Sequence, residues 1–119
     1  MEKFTYEGKD YRVFDINTKY SNNKVILVPT TYKNNDSLGI MILSIHGRDL
    51  EPFAVMTVNL CTPFQSEDTA YVDTNNNGSW GIQRFIASHR LGKRTCINTI
   101  SGNCTYPLYE FDVNKFYAK

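Results

Sequence analysis

Apolar and polar positions alternate with period two over most of this chain, the spacing of half-buried strands. Phe4 and Tyr6 alternate with Lys3 and Thr5 before Glu7-Gly8-Lys9-Asp10 turns the chain. Tyr11 and Val13, then Phe14 and Ile16, resume the extended pattern, with a register change between the pairs that reads as a bulge. Ser21-Asn22-Asn23 breaks it. Lys24 to Tyr32 is β-branched and aromatic, and Pro29 places that strand at an edge or ends it, because proline has no N–H for the ladder. After Asn34-Asn35-Asp36-Ser37, the unbroken Ile40-Met41-Ile42-Leu43 within Leu38 to His46 predicts a central strand covered on both faces. Gly47-Arg48-Asp49 turns again and Phe53 to Leu60 follows as a strand. Short polar loops join these strands, so an antiparallel meander is the economical topology. Ala70-Tyr71-Val72 adds a short strand after the irregular Pro63 to Thr69 loop.

The period changes once. Asn77 or Ser79 can cap a helix by accepting its first free amide protons, and Gly92 can end it in a left-handed conformation. At helical pitch Ile82, Phe85, Ile86 and His89 share one face, which should lie on the sheet. Trp80, Ala87 and Leu91 fall on the opposite side, around Arg84. Two readings of that side stay open: Trp80 and Leu91 tuck under loops at the helix ends, or they form an exposed Trp–Arg–Leu patch for a partner, since Trp and Arg are enriched at binding hot spots. Arg94 to Ile100 and Tyr106 to Phe111 then read as two strands about Ser101-Gly102-Asn103, with Pro107 putting the second at an edge. The expectation is a single α+β domain over residues 1–119, mainly antiparallel sheet (meander) with one helix packed on one face.

Composition narrows the function. Thirteen Lys plus Arg against twelve Asp plus Glu leave no long-range field to gather polyanions, which disfavours a dedicated nucleic-acid binder. The local exception is His89-Arg90-Leu91-Gly92-Lys93-Arg94, whose cations suit a helix C-terminus or could contact phosphate or an acidic protein groove. Three cysteines leave at least one thiol free or paired between chains, and none has zinc or redox spacing. Neither a signal peptide nor a membrane span is expected, so a cytosolic protein is the consistent reading.

Candidate chemistry is thin. Asp73-x-Asn75-x-Asn77-Gly78 matches the opening of a calcium loop, but Arg84 stands where the bidentate glutamate belongs. A loop whose Asn and Asp side chains satisfy backbone amides at the helix start is the favoured account. Cys104 with His46 or His89 is the sole candidate nucleophile–base combination; His89 reads as an ordinary core histidine and Cys104 equally well as a small buried apolar residue. No phosphate-cradling glycine loop or nucleophile elbow is present. The expectation is therefore a protein without catalytic residues, cofactor or metal.

One segment is specific. Pro52-Phe53-Ala54-Val55-Met56-Thr57-Val58-Asn59-Leu60, then Ala70-Tyr71-Val72-Asp73-Thr74-Asn75-Asn76, the Trp80 helix, and Ser101-Gly102-Asn103-Cys104-Thr105-Tyr106-Pro107-Leu108-Tyr109-Glu110-Phe111 together resemble a family of small proteins of unknown function. Its members are encoded on conjugative elements, plasmids and phages of Firmicutes and Bacteroidetes. The chain departs from the family pattern at Gly78-Ser79-Trp80, where a proline usually precedes the tryptophan, and at Arg84, where acidic residues are common. The family carries no catalytic residues to transfer. The resemblance implies a cytoplasmic protein of the bacterial host that acts stoichiometrically against host defence, for example on a CRISPR nuclease.

The leading expectation is thus a non-enzymatic, anti-CRISPR-like binding protein using Trp80, Arg84, Leu91, Arg90, Lys93 and Arg94. The alternative is a nucleic-acid-binding accessory factor of a conjugative element, with Tyr6, Tyr11, Tyr20 and Tyr32 stacking on bases beside the basic stretch. A homodimer burying the second helix face would read identically.

Overall fold

A computed structural model describes residues 2–118. The opening alternation forms the hairpin β1 (Lys3–Tyr6) and β2 (Lys9–Arg12). Its two-residue turn is left-handed at both Glu7 and Gly8, the backbone that matches the twist of the flanking strands. The register change after Val13 separates β2 from β3 (Phe14–Asn17), which starts a four-stranded antiparallel sheet with β4 (Asn22–Thr31), β5 (Leu38–His46) and β6 (Asp49–Val55) in the order β3-β4-β5-β6.

The predicted strand from Phe53 to Leu60 is divided. At the buried Met56 the chain leaves the first sheet, and β7 (Thr57–Val58) begins the second. Met56 donates its N–H to the Ile40 carbonyl at 2.9 Å and accepts from the Asp73 N–H at 2.8 Å, so the crossing leaves neither group of this buried peptide unpaired. The second sheet also holds β8 (Thr69–Val72), β9 (Gly92–Ser101) and β10 (Cys104–Phe111), in the order β7-β8-β10-β9. The mainly antiparallel expectation holds. A single meander does not describe the chain, because β10 inserts between β8 and β9.

Pro29 and Pro107 sit inside sheets but at locally open edges. β3 pairs with β4 only as far as Val25, so Pro29 has β5 alone beside it. β8 pairs with β10 from Leu108 onward, so Pro107 faces only β9. Neither proline removes a ladder hydrogen bond on its open side.

Successive residues of a strand face opposite sides, and the packing follows that rule. Val25 and Leu27 of β4, Ile40 and Ile42 of β5, Ala70 and Val72 of β8 and Tyr109 and Phe111 of β10 meet in a core between the two sheets. Ile26 and Leu43 face the other way, onto Tyr11 and the β1–β2 hairpin. Tyr71, Tyr106 and Leu108 face outward on the second sheet, partly covered by Val58 and Leu60. Met41 is exposed, so the double covering expected of the β5 run is incomplete.

The single predicted helix is interrupted. α1 (Thr74–Asn77) runs into a 3₁₀ turn (Gly78–Trp80), Gly81 turns left-handed at φ 79°, and α2 (Ile82–Ser88) follows. Ile82, Phe85 and Ile86 enter the central core as their spacing predicts. A last 3₁₀ turn (Val113–Phe116) drops Phe116 into the same core. No helix among the described residues is long and apolar enough to cross a membrane.

Candidate functional site

The cap of the first helical turn is Asp73, not Asn77 or Ser79. Its Oδ1 accepts from the Asn76 N–H at 3.1 Å and its Oδ2 from Asn76 Nδ2 at 2.8 Å. Asn77 is buried and donates Nδ2 to the carbonyls of Val55 at 2.9 Å and Asp73 at 3.0 Å. Its Oδ1 accepts from Trp80 Nε1 at 3.1 Å. The side-chain oxygens of Asp73 and Asn77 in the calcium-like run are therefore spent on N–H groups of the protein itself.

Trp80 is a packing residue here. It is half-buried, and its ring meets Phe53 at 6.0 Å and Phe85 at 5.7 Å edge to face, against the central core. Leu91 requires a larger correction: it is wholly buried in that core and presents nothing to a partner. The cause is the way α2 stops. Arg90 adopts a left-handed backbone, φ 55°, its N–H bonds the Ala87 carbonyl at 3.1 Å, and the Leu91 N–H bonds the Ile86 carbonyl at 3.0 Å. Those two bonds define a Schellman ending, in which the residue after the left-handed one turns back onto the last helical turn. Helical pitch carried through to Leu91 puts it on the wrong side because the helix has ended at Ser88.

Gly92 was the expected left-handed cap and is instead the first residue of β9. Its requirement is close approach: a Cβ there would lie 2.8 Å from the Glu110 carbonyl oxygen and 3.1 Å from Phe111. Glycine serves the sheet, and arginine occupies the position where a helix ending ordinarily uses glycine.

The basic residues do not form one patch. Arg84 is exposed and lines a separate recess with Trp80, Ser79 and Asn17. Arg94 bonds Gln83 Oε1 at 3.4 Å and Asn98 Oδ1 at 3.1 Å, and the Tyr109 hydroxyl donates to the same Gln83 oxygen at 2.8 Å. Arg90 and Lys93 come together in an open groove of about 630 Å³ with Lys115, Asp68, Glu110 and Asp112. Arg90, Lys115 and Asp112 also line an adjoining groove of about 550 Å³ that contains Arg12 and His89. Four cations (Arg12, Arg90, Lys93, Lys115) and three acids (Asp68, Glu110, Asp112) thus border a continuous recess at the end of α2. Among the described residues none of these seven takes part in an ion pair.

Several of these charges are anchored elsewhere. The Arg12 guanidinium lies over the Phe14 ring at 4.7 Å. Lys115 Nζ donates to the Arg90 carbonyl at 3.0 Å, satisfying an acceptor just past the helix end. His89 packs against Phe14 (5.0 Å) and Phe85 (4.8 Å), which also meet each other edge to face. Burial and the Arg12 charge hold its pKa below the ordinary histidine value. Sequence reasoning missed Arg12, Lys115 and the three acids, since only the sheet order and the final 3₁₀ turn bring them to the helix end.

Two further candidate groupings do not assemble into a relay. Ser44 Oγ lies 3.1 Å and Glu51 Oε2 3.4 Å from the same ring nitrogen of His46, Nε2. A serine–histidine–acid relay needs the acid on the opposite nitrogen. The three cysteines are free thiols; Cys104 packs with Tyr106 and Leu108 on the outer face of the second sheet, away from the Phe14, Phe85 and His89 rings. The tyrosines proposed for base stacking are dispersed. Tyr11 is buried, Tyr6 packs beside it, Tyr32 bonds Thr57 Oγ1 at 2.9 Å, and only Tyr20 of the four stands fully exposed.

No curated protein and no solved structure matches this chain. Residues 26–118 match a family model described as Domain of unknown function (DUF4313), and the chain belongs to that family.

Proposed function

We propose that this is a non-enzymatic binding protein of a mobile genetic element. In this reading it acts stoichiometrically in the cytoplasm of the bacterial host as an anti-defence, anti-CRISPR-like inhibitor. The observation that carries the protein-binding part is the mixed-charge recess at the end of α2. Four cations and three acids line it, and among the described residues none of them is held in an ion pair. A surface built for nucleic acid collects cations to replace counterions along many phosphates, and three carboxylates against four cations leave this recess little net charge for that task. A protein surface carrying both signs can match such a recess charge for charge. Electrostatic complementarity of this kind fixes orientation and rejects wrong partners. The anti-defence role rests on the family resemblance and the paucity of catalytic groupings.

The partner surface is accordingly redrawn: Arg90 and Lys93 remain, Arg12 and Lys115 join them, and Trp80, Arg84, Leu91 and Arg94 leave it. Fluorescence anisotropy with single- and double-stranded DNA and RNA at low salt separates the two classes of partner. The protein-binding reading expects no saturable signal. Binding whose logarithmic constant falls linearly with the logarithm of salt concentration would replace it with the accessory-factor reading.

A further inference from the structure

We propose that the recess is a carboxylate clamp, in which Arg90, with Arg12 and Lys115, seats an acidic side chain of the partner protein; this deepens the reading above and rests on it. The backbone supplies the first argument. Arg90 holds φ 55° at the helix ending, a conformation that glycine adopts freely and that crowds the Cβ of any other L-residue. The turn itself needs no guanidinium, because the backbone N–H groups of Arg90 and Leu91 make both of its hydrogen bonds. Among the described residues the Arg90 side chain makes no hydrogen bond and no ion pair, while its carbonyl is fixed by Lys115. A side chain that neither the turn nor a neighbour holds, at a position where glycine would be easier, is free to bind something outside the fold.

The surroundings supply the second argument. The Arg12 guanidinium is braced on Phe14, so it holds its place without a carboxylate partner. Lys115 commits one of its three N–H donors to the Arg90 carbonyl, leaving two. Guanidinium forks match the two oxygens of a carboxylate, and a desolvated pair of this type fixes both position and orientation. Asp112 lines the same recess. It penalises a phosphate carrying two charges more than a single carboxylate, and it offers an acceptor to a cation flanking that carboxylate on the partner.

The test titrates the isotopically labelled full chain, at low salt, with a short polyglutamate peptide, with inorganic phosphate and with a short single-stranded oligonucleotide, following the arginine Nε–H signals. Polyglutamate should shift Arg12 and Arg90 and leave Arg94 in place. Arg90→Gly should abolish the saturable shift of Arg12 while raising Tm by about 2–5 °C, since glycine relieves the strain. Arg90→Gln should abolish it with Tm unchanged, because the backbone demand persists. The clamp is overturned if the arginine signals ignore polyglutamate, if phosphate or the oligonucleotide moves them equally, or if Arg90→Gly lowers Tm. Arginine signals blind to polyglutamate, in a protein that still retains a partner after nuclease treatment, remove the clamp alone. Loss of both removes the protein-binding reading as well.

Discussion

The Leu91 N–H donates to the Ile86 carbonyl at 3.0 Å, and this one bond decides which residues at the end of α2 face the core and which face solvent. It turns the Leu91 side chain inward and leaves Arg90 outside. Leu91→Ala should therefore lower stability by about 2–5 kcal/mol, the range for emptying a buried leucine site. Denaturant unfolding measures it, and a loss below about 0.5 kcal/mol would mean that Leu91 lies at the surface.

Gly92→Ala should destabilise by about 1–3 kcal/mol, because the new methyl group meets the backbone carbonyl of Glu110, which cannot swing aside as a side chain could. The strain falls on the β9–β10 ladder. Amide exchange should accelerate from Gly92 to Arg94 before it does in β4 and β5. Uniform exchange across both sheets would argue against a local clash.

Trp80→Phe keeps most of the ring packing on Phe53 and Phe85 and removes the donor to Asn77 Oδ1. A loss of about 1–2 kcal/mol is expected from leaving that buried amide oxygen short of a partner. Partner binding should be unaffected. If Trp80→Phe abolished binding at unchanged stability, the tryptophan would belong to the interface.

His89 should make the fold acid-sensitive. Its folded pKa lies below the unfolded value near 6.5, chiefly through burial and then through Arg12. Between those two values the unfolded chain binds a proton that the folded chain does not. The stabilisation is therefore complete above the unfolded pKa and is lost as pH falls below it. The Tm at pH 5 should sit below that at pH 7, and His89→Gln should flatten the difference. An unchanged slope in that variant would place the acid sensitivity elsewhere.

The period-two signal was legible because sheets sort neighbours by face: Val25 and Leu27 go one way and Ile26 the other. Ile82, Phe85 and Ile86 were likewise legible from helical spacing. The topology was not, because nothing local in Tyr106 to Phe111 says that β10 will lie between β8 and β9. At the candidate site, spacing carried Arg90 and Lys93 together but misplaced Leu91, since an arginine in a left-handed turn leaves no glycine signal to stop the helix. Gly92 supplied that signal falsely, two residues late. Arg12 and Lys115 reach the recess only through long-range packing, which residue spacing does not encode.

The most direct measurement is affinity capture from a bacterial host carrying CRISPR and restriction systems, after nuclease treatment, with wild type beside an Arg90→Glu, Lys93→Glu double variant. The account predicts a single host protein retained at stoichiometric yield by wild type and lost from the charge-reversed variant, with both melting cooperatively. Retention that disappears with nuclease, or that survives the double reversal undiminished, would contradict it.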